Sequence, residues 1–307
     1  MIRSLQLTDV PALLLFLSKA PRNEARARDR LGSKGIELLA AASILKGCLV
    51  SVDKQHSFVC VRGGFIQGLV CLRRGQGPSA WFIERLLLEP GCEESYLDLL
   101  ERVGYAGDKI KAERVFLRLD SSSAAVDMAK QAGFNHYLTE LLYRLDEIHQ
   151  SAPPDPSRPV GMLRPKSSAD EHALFRLYST AAPLQVRSAE GMTLQEWTDS
   201  RDKDAHRELV QENAGEISAW LRIRYSGASG QFEIFAVPGS GDLPGLVDYT
   251  LTVLKTRRPV SCLVPEYQQQ LKRILEERGF SPAGTYSCFS KQLAVRVHEP
   301  RLVPLRA

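Results

Sequence analysis

The chain has 307 residues, long enough for two ordinary domains and too long for one small core. Hydrophobic residues make up 44% and charged residues 25%, the balance of a soluble globular protein. A formal charge of +4 is slight for this length and gives no electrostatic case for nucleic acid, which needs a clustered basic face.

Ile2 to Leu7 reads as a short strand, after which Thr8 or Asp9 caps a helix carrying Leu13, Leu14, Leu15, Phe16 and Leu17. Asp9 and Pro11 interrupt any signal-peptide core, and no apolar run is long enough to span a membrane. A loop rich in arginine (Arg22, Arg26, Arg28, Arg30) leads to a second helical stretch from Ile36 to Leu45. Phe58 to Val61 and Phe65 to Leu72 are strand-like runs around Arg62-Gly63-Gly64, a hairpin signal. Past the Gln76-Gly77-Pro78 turn comes the central strand, an apolar run that stops at Glu89-Pro90-Gly91. A helix pattern starts at once, with Tyr96, Leu97, Leu99, Leu100 and Val103 at helical spacing. A helix opening straight off a strand points free N–H groups and a positive dipole end at the sheet edge, a place for anionic groups. Val115 to Leu119 alternates like a strand, a helix from about Ala124 to Ala132 stops at Gly133, and Tyr137 to Leu145 closes the set.

The composition then changes. Ser151 to Pro159 holds four prolines in nine residues, and neither a helix nor a central strand survives that density. Residues 150–160 therefore read as a linker between domains at 1–149 and 161–307, expected to fold as separate cores.

Past the linker the pattern restarts. Leu163-Arg164, Asp170 and Leu174 repeat Ile2-Arg3, Asp9 and Leu13 at the same internal offsets. Glu208 to Leu221 repeats the strand, glycine turn and strand, and Phe232 to Gly239 repeats the apolar run ending in Pro-Gly. Pro259 to Val264, the helix to Gly279-Phe280 and the closing Tyr286 to Leu293 repeat the last third, down to the earlier Gly133-Phe134. A period of this size means domain duplication.

The six cysteines form no CxxC pair and show no zinc-type spacing with histidine; most sit in apolar runs. They read as small buried hydrophobes in a reducing compartment, so the chain is expected to be cytoplasmic and free of metal.

This order of strands and helices, with an apolar run ending in Pro-Gly before each half's central helix (Pro90-Gly91, Pro238-Gly239) and Gly-Phe after its last, resembles the GNAT acyltransferase superfamily. The resemblance covers about Ile2 to Leu145 and Met162 to Val297. It implies an α/β fold of two tandem domains, each a mixed, splayed sheet flanked by helices. It also implies an acyl-CoA-dependent N-acetyltransferase that holds acetyl-CoA, or another acyl-CoA, in the wedge opened by sheet splay. A small-molecule or peptide amine would attack the thioester directly in a ternary complex. The resemblance places the cofactor on Leu86, Leu88, Gly91 and Cys92 in the first half, and on Val237, Gly239, Ser240 and Gly241 in the second. Cys92, Glu94 and Tyr96 stand where a phosphate loop wants small residues, so acyl-CoA is expected to prefer the second half. Ala129 and Leu275 occupy the positions of the family's tyrosine acid.

Strand alternation puts Ala80, Phe82, Glu84, Leu86 and Leu88 on one face, leaving Glu84 a carboxylate on an otherwise apolar face. Burial would raise its pKa toward the range of a general base. Glu233 holds the matching place in the second half, and both are candidate bases; a solvated or arginine-paired carboxylate is the plainer alternative. The arginine loop reads as a solvated loop or as a site for an acidic acceptor or the CoA 3′-phosphate. The rival class is a non-catalytic GNAT-like scaffold that binds CoA or a protein partner; fold alone does not choose between them.

Overall fold

The computed structural model describes residues 1–19, 21–28, 31, 55–92, 94–105, 112–146, 162–201, 205–239 and 242–293. The helix expected at Ile36 to Leu45 and the proline-rich linker lie outside the described residues.

The first half comprises β1 (Ile2–Ser4), α1 (Val10–Ser18), β2 (Arg22–Asn23), β3 (Gln55–Arg62), β4 (Phe65–Arg74), β5 (Ala80–Leu88), α2 (Glu94–Tyr105), β6 (Arg114–Asp120), α3 (Ala125–Gln131) and β7 (Asn135–Leu145). The second comprises β8 (Met162–Pro165), α4 (Glu171–Ala181), α5 (Leu184–Glu190), α6 (Leu194–Asp199), β9 (Arg207–Asn213), β10 (Glu216–Ser226), β11 (Ser229–Ala236), α7 (Leu243–Val253), β12 (Val260–Pro265), α8 (Gln269–Glu277) and β13 (Ser281–Gln292). No helix of the described residues is long and apolar enough to cross a membrane.

The sequence repeat is a repeat of contacts. Arg3 grips both carboxylate oxygens of Asp9, and Arg164 grips both of Asp170. In each half that aspartate also accepts a backbone N–H at the helix entry, from Gln6 and from Ser167. The hairpins turn where glycine permits left-handed backbone, with φ of +58° and +83° at Gly63 and Gly64.

All strands join one mixed sheet in the order β1-β3-β4-β5-β6-β13-β7-β12-β11-β10-β9-β8, with β2 against β5 off this path. The order exposes an exchange. β13, the last strand of the second half, pairs with β6 of the first, and β7 of the first pairs with β12 of the second. The expectation of separate cores is thereby corrected. Phe289 and Leu293 of and beside β13 bury in the first core with Leu99, Leu100 and Val103 of α2. Tyr143 and Leu145 of β7 bury in the second core with Leu246 and Val247 of α7.

The expected alternation along β5 also needs correction. The β4–β5 register shifts so that Cys71 faces Arg85 while Leu72 faces Ile83, which makes Glu84 the extra residue of a bulge. Trp81 and Ile83 before the bulge, and Leu86 and Leu88 after it, consequently share the core under α2 and α3.

Candidate active site

Each half opens a wedge where two parallel strands part. In the first half, β5 and β6 pair at Ala80–Arg114, Trp81–Val115 and Phe82–Phe116 and then diverge. The chain's own segment 22–26 fills the gap. Arg22 and Asn23 pair with Leu88 and Leu87. The Leu86 N–H donates to Asn23 Oδ1 at 2.9 Å, and the Glu24 N–H donates to the Leu86 carbonyl at 3.0 Å. On the far side Ala25, 1% exposed, bridges to Leu119, and the Arg26 N–H donates to the Arg118 carbonyl at 2.9 Å. Backbone groups already bonded to their own chain have nothing left for a ligand. Leu86 and Leu88, read from sequence as cofactor-binding, therefore bind segment 22–26 instead. Gly91, at φ +84°, and Cys92 form a tight turn in which the Cys92 N–H donates to the Glu89 carbonyl at 3.2 Å.

In the second half, β11 and β12 pair at Gly230–Val260, Gln231–Ser261 and Phe232–Cys262 before diverging. Among the described residues no segment enters this wedge. A cavity of about 130 Å³ lies there, at the seam of the halves, walled by β11 and β12, by Tyr178, Glu190, Trp197 and Trp220, and by Phe82, Phe116, Tyr137 and Glu140 of the first half. Glu233 points into it from β11. Val237 packs beneath, Gly239 stands in open space at φ +76°, and Ser240 and Gly241 lie outside the described residues.

Neither expected base is free. Glu84 pairs with Arg73. Glu233, 14% exposed, is gripped by Arg224, by Arg222 at 3.5 Å and by Arg28 at 3.2 Å. Burial would raise the Glu233 pKa, but Arg224, Arg28 and Arg222 outweigh it and hold the carboxyl well below the usual range. A carboxylate held so strongly ionised is a weak proton acceptor at neutral pH. Arg28 continues to Glu140 at 2.7 Å, and Arg118 reaches the other oxygen of Glu140 at 2.7 Å. Burial pushes the Glu140 carboxyl up while Arg118 and Arg28 pull it lower on balance. Cys288 donates its thiol to Glu140 at 3.2 Å, and burial keeps that thiol protonated.

The carboxyl suited to proton transfer is one that sequence reading missed. Glu190 ends α5, and burial lifts its pKa to about 7 against the opposing pull of Arg28. Its backbone is fixed from the first half, since Arg114 donates to the Glu190 carbonyl at 3.2 Å and also pairs with Glu196. Gly191 then turns the chain at φ +154°, where a Cβ would lie 2.3 Å from the Trp197 nitrogen. In sequence Glu190-Gly191 is an ordinary helix ending; only the docking of α5 and α6 over the wedge gives Glu190 its setting.

Two splayed wedges, strands followed by helices at their mouths, and the same order in both halves define a tandem GNAT fold. Solved structures agree across nearly the whole chain. A GCN5-related N-acetyltransferase from Sphaerobacter thermophilus superposes with a TM-score of 0.56 at 16% identity, covering 95% of each chain. A tandem GNAT protein from the clavulanic acid biosynthesis pathway, solved without acetyl-CoA, gives 0.55 at 16% identity over 95% of this chain and 98% of its own. No family model matches the chain, and no curated protein matches it.

Proposed function

We propose that the protein is an acyl-CoA-dependent N-acyltransferase, using acetyl-CoA or another acyl-CoA, whose second half performs the reaction. The observation that carries this reading is the contrast of the wedges: segment 22–26 fills the first, while the second opens on a cavity lined by a carboxyl with a pKa of about 7. The halves, 1–149 and 161–307 joined through 150–160 in this proposal, divide the labour. The first braces the site and the second works.

The second wedge fits an acyl-thioester arm at its inner end, where β11 and β12 have parted. At the mouth, the open space over Gly239 admits a phosphate to its backbone N–H. Bound acyl-CoA supplies the activated carbonyl carbon. Glu190 takes the proton of the attacking amine, whose nitrogen bonds to that carbon as the carbon–sulfur bond breaks. The departing sulfur leaves as a thiolate that takes its proton from solvent, and Tyr267, held protonated by burial and lining the same cavity, offers it a hydrogen bond. Glu233, fixed ionised by its arginines, sets the electrostatics of the wedge floor. The five described cysteines are free thiols, in keeping with a cytoplasmic setting.

One feature favours the non-catalytic alternative. In the first turn of α7, Asp242 accepts from the Gly245 N–H at 3.1 Å, Gln211 accepts from the Asp242 N–H at 3.1 Å, and Pro244 has no N–H. Few donors remain there for a pyrophosphate.

Acetyl-CoA should raise the unfolding temperature of the wild type, and acetyl transfer to a panel of amines should rise with pH through about 7 as Glu190 ionises. Glu190→Gln should lose about two to four decades of rate and flatten that limb while acetyl-CoA still binds. A wild type that neither binds acetyl-CoA nor transfers the acetyl group would leave the scaffold reading.

A further inference from the structure

The cavity of the second wedge carries more hydrogen-bond donors than its own acceptors satisfy. The indole N–H of Trp220, the Nε–H of Arg201 and the amide N–H of Gln268 are buried without a hydrogen-bond partner, and all three residues line the cavity. Trp220 is 7% exposed and the Arg201 side chain 10%. They arrive from three places: β10, the end of α6, and the loop before α8.

A buried donor without an acceptor is expensive, and folded chains satisfy nearly all of theirs. Three of them round one cavity mark where a ligand's acceptor atoms belong. Of the cavity's three carboxyls, Glu190 bonds to none of these donors and the other two are engaged elsewhere. Glu233 is taken by Arg28, Arg222 and Arg224, and Glu140 by Arg28, Arg118 and Cys288.

Two guanidinium groups stand beside these donors, Arg201 paired with Glu171 at 2.7 Å and Arg222 with Glu208 at 3.1 Å and Glu233 at 3.5 Å. Arg201 lies over the Trp220 ring at 5.5 Å and Arg222 at 5.1 Å, so two guanidinium groups lie against the indole. A carbonyl oxygen accepts at most two such bonds; a carboxylate can accept from all three donors, one of them a guanidinium. The volume, about 130 Å³, suits a small molecule. Glu190 and the rings of Tyr178, Phe235 and Phe116 also line it.

We propose that this cavity binds a small amine that also carries a carboxylate, a compound of the size and kind of a free amino acid. Trp220, Arg201 and Gln268 hold the carboxylate, and the amine faces Glu190. The role of Glu190 rests on the acyltransferase reading; the carboxylate site stands apart from it.

The test uses the full chain and two matched sets of probes, the standard L-amino acids and the corresponding amino-acid amides. Binding is followed by thermal shift without acyl-CoA, and transfer is followed with acetyl-CoA. At least one amino acid should bind, at least tenfold more tightly than its own amide. Gln268→Leu, on a half-buried loop, and Trp220→Phe, which keeps the ring and deletes the N–H, should each weaken that binding about tenfold. The proposal is overturned where no amino acid binds, where the amide binds as well as the acid, or where both variants bind like the wild type. Binding of an amino acid without acetyl transfer upholds the carboxylate site and ends the acyltransferase reading. Transfer to amines with no preference for a carboxylate does the reverse.

Discussion

Glu233→Gln is the most informative single change, because the two roles open to this carboxylate predict opposite results. A general base exposed in a cleft can lose its charge with little effect on stability. The structure instead gives Glu233 three guanidinium partners, with Arg222 and Arg224 each 5% exposed and Glu233 itself 14% exposed. Removing one partner of a buried ion pair costs about 3–5 kcal/mol. The glutamine keeps one oxygen acceptor, so the lower end, about 3 kcal/mol, is expected. Since the folded pKa of Glu233 is depressed, its stabilisation is fully present above the unfolded value, about 4.3, and fades only as pH falls through the folded value. The gap between wild type and variant should therefore stay constant from pH 5 to 8. Urea unfolding at both ends of that range measures it, and at about 3 kcal/mol per molar the midpoint should fall by about 1 M. A midpoint that does not move would refute the arginine grip. A gap that shrinks as pH rises from 5 to 8 would mean that Glu233 titrates there with a raised pKa, and would restore it as a base.

Asn23→Ala should leave the buried Leu86 N–H without its acceptor and cost about 1–3 kcal/mol in urea unfolding, while the stabilisation by acetyl-CoA stays as in wild type. A larger acetyl-CoA shift in that variant would mean that the first wedge binds ligand once unplugged. Gly77→Ala places a Cβ 1.8 Å from Asp199 Oδ1, where α6 docks on the β4–β5 turn, and should destabilise by about 1–3 kcal/mol in the same assay; an unchanged midpoint would show that this contact is dispensable. Residues 161–307 expressed alone would leave β13 without both its neighbours and β12 without β7, so gel filtration and circular dichroism should show an aggregated or unfolded chain. A folded monomer with a cooperative melt would contradict the strand exchange.

What the sequence made legible was local or repeated. Arg3 and Asp9 are six residues apart, Arg164 and Asp170 likewise, and a matched offset is visible without any structure. Turns at Gly63-Gly64, Gly133 and Gly279 follow from backbone that glycine alone adopts cheaply, with φ from +58° to +83°. What stayed hidden was partner choice. Strands β7 and β13 present the same pattern whichever half they join, because alternation fixes which face of a strand is buried and not which strand lies beside it. The bulge at Glu84 reverses the strand's alternation without leaving a proline or glycine as a mark. Arg28 and Glu233 are 205 residues apart, so the loop's arginines could be read only as a charged stretch. The pKa of Glu190 is a property of its burial, which no spacing encodes.

These hidden features share one physical origin. A duplicated domain has two wedges, and an open wedge in a sheet is a row of unpaired backbone groups that must be covered. The first half covers its own with segment 22–26, in strand pairing that leaves no room for a ligand. That choice places Arg28, two residues further on, at the seam between the halves, where it reaches both Glu140 and Glu233. The exchange of β7 and β13 fixes the same seam from behind, so the halves cannot separate without breaking strand pairs. Arg114 fixes it from the front by holding the backbone of Glu190. A first half that has given up its own wedge thus supplies the charge that grips Glu233 and the hydrogen bond that positions Glu190. In the proposed function, the filling of the first wedge and the bracing of the second follow from one segment, 22–28.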